Sequence, residues 1–187
     1  MSTDAIRERA QLLETLFFNE KESKLLEHLH NDLQQSKSIA SLAAVAHIGD
    51  RDALEELEEI GINPSTFVAV KLIPMIAVAW ADDDLEDEEI EAIQRAAEKA
   101  GIKSGSPSDK LLHQWLRDPM GNNVIDAWTH FISVYSNTLD PAKRAALEKE
   151  TIDSAIEVAA SAGGFLGLGA VSRVEDEMIK RLRQAFR

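Results

Sequence analysis

Apolar residues recur every three or four positions along most of this chain, and the strict alternation that marks strands is nearly absent. Ile6, Ala10, Leu13 and Phe17 share one helical face, as do Leu25, Leu29 and Leu33, predicting one long N-terminal helix or two with a break near Asn19. Ser38 opens a small-residue helix through Ile48 that is apolar enough to be buried, and Asp50 opens a short acidic helix that Gly61 closes. Asn63-Pro64 sets a cap before a proline at the first helical position, so an apolar helix is expected from there to Ala81. Pro74 lies inside that stretch, where a missing N–H predicts a bend.

Further along, Ser106-Pro107-Ser108-Asp109 reads as a helix start, with an acid three residues after the cap. Asp118-Pro119-Met120-Gly121 is a turn, and Ile125, Trp128, Ile132 and Tyr135 trace the face of the next helix. Asp140-Pro141 starts a long helix to about Ala162, and Ser172-Arg173-Val174-Glu175 is a capping box for the last one. These signals predict an all-α fold, a compact helical bundle of eight or nine helices, with residues 1–37 as a helical extension packed on a domain spanning 38–187. A weak internal repeat runs through it. Apolar helix, short loop and glutamate-bearing helix occur around Trp80-Ala81-Asp82 and Glu88-Glu89, and again from Ile156 to Ser172 and Glu175.

Composition alters this picture little. A chain of 187 residues with 44% hydrophobic and 28% charged residues can bury an ordinary core. With no cysteine, neither disulfides nor thiolate zinc sites contribute. The first residues lack a basic-then-apolar leader pattern, and the apolar run Phe67 to Ala81 is too short for a membrane span, so a soluble cytoplasmic protein is expected.

Charge alters it more. The net charge is −13, and two segments carry −12 of it: −5 over residues 50–60 and −7 over residues 81–100. The last helix is mildly basic, with Arg173, Lys180, Arg181, Arg183 and Arg187 against three acids. This balance argues against nucleic acid as a partner, which requires a basic stripe.

The densest chemistry is Asp82-Asp83-Asp84-Leu85-Glu86-Asp87-Glu88-Glu89, seven carboxylates in eight positions between an apolar helix and an amphipathic one. Such a run can start a helix, with Asp84 as its cap, each first-turn acid gaining about 0.3–1 kcal/mol from the helix dipole. Like-charge crowding opposes gains of that size, so the run reads as a solvated face, a cation site or a dock for a basic protein surface. The candidate cation ligands are Asp82, Asp83, Asp84, Glu86, Glu88 and Glu89. A calcium EF-hand beginning at Asp82 fails, because Asp87 stands at the glycine position and Ile93 at the final glutamate position. Any bound ion, calcium or magnesium, would be weakly held by oxygen ligands.

Other motifs are less pointed. The loop Gly163-Gly164-Phe165-Leu166-Gly167-Leu168-Gly169 follows a helix and has no lysine, so it fits neither phosphate-binding motif. It reads as an apolar packing loop, with a docking loop as the functional alternative. His28, His30, His47, His113 and His130 lack metal-ligand spacing, and no nucleophile with a base stands out. Trp80, Trp115 and Trp128 read as core anchors, with Trp115 beside Arg117 as a candidate for an interface.

Ala79-Trp80-Ala81-Asp82, Leu85, Glu88-Glu89 and Ile93 together resemble the signature of the tellurite-resistance TerB-like helical family. The resemblance covers residues 67–102 and, less closely, Ile156 to Phe186. It implies a helical bundle linked to stress responses that binds divalent cations through acidic residues, with Asp82 matching the loop aspartate and Glu88 or Glu89 the helix glutamate. Two departures stand out: Asp83 replaces the glycine expected after Asp82, and Gly163-Gly164 replaces the aspartate of the second repeat, although Glu175 is kept.

The expected function is therefore that of a non-enzymatic binding module whose acidic face takes a divalent cation or a basic protein partner. The pattern is compatible with a homo-oligomer. The alternative is a carboxylate-ligated metal-dependent hydrolase, which requires Asp82 and Glu89 to converge with Asp52, Glu55 or Glu175.

Overall fold

The computed structural model describes residues 37–162 and 171–187, together with Lys24 and Gln35. The chain divides into two compact units, Met1–Ala40 and Ser41–Arg187. The helices expected between Ile6 and Leu33 and the glycine-rich loop after Ala162 lie outside the described residues. The described residues form an all-α structure with no strand, and none of their helices is long and apolar enough to cross a membrane.

Among the described residues, eight α-helices follow in order. The first, α1, is described over 37–46, and α2 spans Arg51–Glu59. A 3-10 helix, Phe67–Leu72, leads into α3, Ile73–Ala79. Then come α4 (Asp87–Lys99), α5 (Pro107–Arg117), α6 (Asn122–Asn137), α7 (Pro141–Ala162) and α8 (Arg173–Gln184).

The small-residue helix stops two residues earlier than expected. His47 adopts a left-handed conformation (φ 56°), which ends α1 at residue 46. Only one side of it is covered: Leu42 and Ala46 are buried, whereas Val45 is 42% exposed.

The centre of the second unit is α3, every residue of which is buried. It packs on α7, α8 and α6, while α4 lies on α7, α2 on α6, and α5 on the 3-10 helix. A helix apolar all round is stable only when neighbours cover every side of it, and these neighbours do so.

The expected single helix from Pro64 to Ala81 is replaced by two pieces, and proline chemistry explains why. Within a continuous α-helix, Pro74 would offer no N–H to Val70 and its ring would press on that carbonyl. The chain instead runs as a 3-10 helix to Leu72 and begins α3 at Ile73, placing Pro74 in the first turn, where an N–H has no helical acceptor to lose. Pro74 therefore initiates a helix instead of bending one. Asn63-Pro64 forms a turn: the Ser65 N–H donates to Asn63 Oδ1 at 2.9 Å, and Thr66 Oγ1 donates to the Gly61 carbonyl at 2.8 Å.

Three further starts match their sequence signals. Asp50 Oδ1 accepts from the Ala53 N–H at 2.9 Å, Ser106 Oγ from the Asp109 N–H at 3.2 Å, and Asp140 Oδ1 from the Lys143 N–H at 2.9 Å. The expected face of α6 is buried at Ile125, Trp128 and Ile132, with Trp128 set edge-on to Phe186 at 6.1 Å between ring centroids. Trp115 is also buried, at 6% exposure, so it belongs to the core instead of to an interface. Its carbonyl accepts from the Trp80 indole N–H at 2.9 Å, which ties the end of α3 to α5.

Candidate functional site: the acidic loop and two buried glutamates

The loop after α3 closes tightly. The Ala81 N–H donates to the Val78 carbonyl and the Asp83 N–H to the Trp80 carbonyl, at 3.0 and 3.1 Å. Asp83 takes a left-handed conformation (φ 63°), the geometry for which glycine is the default residue. Aspartate tolerates it better than most residues because its short side chain can bond locally. Asp83→Gly should therefore unfold no earlier than the wild type, while Asp83→Ala, which loses the same carboxylate, should lose about 1 kcal/mol. Paired urea melts of the two variants check this. Equal losses would show that the carboxylate matters and the backbone does not.

Asp84 does not cap α4. Its N–H donates to Asp82 Oδ1 at 3.2 Å, so Asp82 closes a side-chain turn around it. The extended residue before the helix is Glu86, whose carbonyl accepts from the Ile90 N–H at 3.0 Å and whose own N–H donates to Glu89 Oε2 at 3.1 Å. Helix initiation therefore uses the last acids of the run. Asp82 and Asp84 shape the loop.

The six predicted cation ligands separate into two groups. Asp82, Asp83, Asp84, Glu86 and Glu88 are exposed, as is Asp87, while Glu89 points inward and is only 3% exposed. Burial pushes the Glu89 carboxyl up to about 7. The bond from the Glu86 N–H opposes this rise, and the charges of Glu175, Asp82 and Glu86 add to it. Among the described residues, no three histidine, aspartate or glutamate side chains are placed to hold a metal ion.

Glu175 is the counterpart of Glu89 in the second repeat. It is 8% exposed, its carboxylate accepts from the Ser172 N–H, and its own N–H donates to Ser172 Oγ at 3.3 Å. The expected capping box is thus present in full. Each helix buries the same stripe behind its glutamate: Glu89, Ile93 and Ala97 on α4, and Glu175, Ile179 and Leu182 on α8. The Ser161 hydroxyl of α7 donates to the Val158 carbonyl at 2.6 Å and lies 3.3 Å from that of Glu88, which places the end of α7 beside the start of α4. The repeat read from the sequence therefore brings two buried carboxyls into electrostatic contact.

Of the acids expected to converge with Asp82 and Glu89, Glu175 lies within electrostatic reach of Glu89, whereas Asp52 and Glu55 are held on another element. Asp52 and Glu55 belong to α2, which packs on α6, and Glu55 accepts from Arg51 at 2.6 Å. One shallow cleft of about 270 Å³ is lined by Glu148, Lys149, Asp153 and Arg183 on α7 and α8. Another of about 250 Å³ is lined by Glu56, Glu59, Asn123 and Asp126 on α2 and α6. Neither borders the acidic loop.

Two cross-helix contacts escape sequence reasoning. His130 Nδ1 lies 2.9 Å from Glu56 Oε2, and Arg181 reaches Asp126 at 2.6 Å. Their partners are 74 and 55 residues apart, beyond any local spacing rule. The burial of Glu89 could have been found, since Glu89, Ile93 and Ala97 repeat every four residues. No protein-family model, curated protein or solved structure matches this chain.

Proposed function

We propose that this chain is a non-enzymatic binding module whose acidic loop and first turn of α4 receive a basic segment of a protein partner. The observation that carries this reading is the set of six exposed carboxylates, Asp82, Asp83, Asp84, Glu86, Asp87 and Glu88, none of which is ion-paired among the described residues. Some acids elsewhere are neutralised locally, as Glu55 is by Arg51 and Asp126 by Arg181. An unneutralised run of this density attracts cationic groups over about 8 Å at physiological ionic strength and favours rapid, salt-sensitive association. A divalent ion is the less favoured ligand because the side chains do not converge. The TerB-like resemblance adds a stress-linked setting for such a module.

Millimolar calcium or magnesium chloride, set against sodium chloride at matched ionic strength, separates the two ligands. A basic-partner surface should give equal thermal shifts in both salts, because both only screen it. An ion site would give extra stabilisation with the divalent salt, about 2.7 kcal/mol at a hundredfold excess over the dissociation constant. If that increment appears and Asp82→Asn with Glu89→Gln removes it, the ligand is a cation.

The hydrolase reading retains one observation in its favour. Glu89 is held near neutrality beside Glu175, the kind of paired environment that acid–base chemistry uses. Neither of the two clefts lined by described residues borders that pair, so the binding reading is preferred.

A further inference from the structure

We draw no further inference here: the strongest candidate, the buried Glu89 and Glu175 carboxyls at the starts of α4 and α8, belongs to the site already described, and the next, the acidic cleft between α2 and α6, is a carboxylate cluster in which Glu56 and Asp126 already hold His130 and Arg181.

Discussion

Replacing Glu89 with glutamine should leave the protein's stability nearly unchanged at pH 4 and raise it at pH 8. The folded carboxyl titrates at about 7, above its ordinary value of 4.5, so the native state binds this proton more tightly than the unfolded chain does. The stabilisation is complete below about 4.5 and is lost as pH rises through 7. A shift of this size corresponds to about 3 kcal/mol across that window. Glutamine imitates the protonated form and keeps an oxygen for the Glu86 N–H, so its stability curve should lack this fall. Groups distant from Glu89 drop out of the difference between the two proteins. Urea unfolding of both from pH 4 to 8.5 measures it. Parallel curves would show that Glu89 does not carry a buried proton in the folded state.

A larger loss is expected in the core. Trp128→Ala should cost about 3–5 kcal/mol, through lost burial and the cavity left behind. The indole is 1% exposed and meets Phe186 edge-on, so the substitution unpins the end of α8 from α6 as well as emptying the site. Val45→Ala is the contrast, since an apolar side chain already 42% exposed has little to lose. Thermal or denaturant unfolding of the two variants tests the comparison. A small loss at Trp128 would mean that Trp128 and Phe186 do not pack as described.

The two glutamates show what the sequence made legible and what it hid. Ser172 and Glu175 were readable as a capping box because both partners are local, and the fold keeps both bonds. The same reciprocity at Glu86 and Glu89 was obscured by its surroundings. In a run of seven acids every position looks like solvated surface, and total charge outweighs the four-residue spacing to Ile93 and Ala97. The segment from Pro64 to Ala81 was legible as the buried centre but not as two helices. Apolar content fixes burial, whereas the change from 3-10 to α geometry depends on which carbonyl Pro74 leaves without a donor. Contacts such as Glu56 with His130 depend on how α2 meets α6, which no window of sequence contains.

The reading of the acidic loop as a partner surface turns on whether those particular carboxylates bind a basic chain. Calorimetric titration of the full-length protein with a short oligolysine peptide at low and at high sodium chloride measures this directly. The triple variant Asp82→Asn, Asp83→Asn and Asp84→Asn is compared with a control that removes equal charge from α2, Asp52→Asn with Glu58→Gln and Glu59→Gln. Asparagine keeps the acceptor that closes the turn around Asp84 and tolerates the left-handed backbone at Asp83. The account predicts binding that weakens with salt, falls at least about tenfold in the loop variant, a loss of about 1.4 kcal/mol, and stays close to wild type in the control. Equal weakening in the two variants, or no binding at low salt, would contradict it.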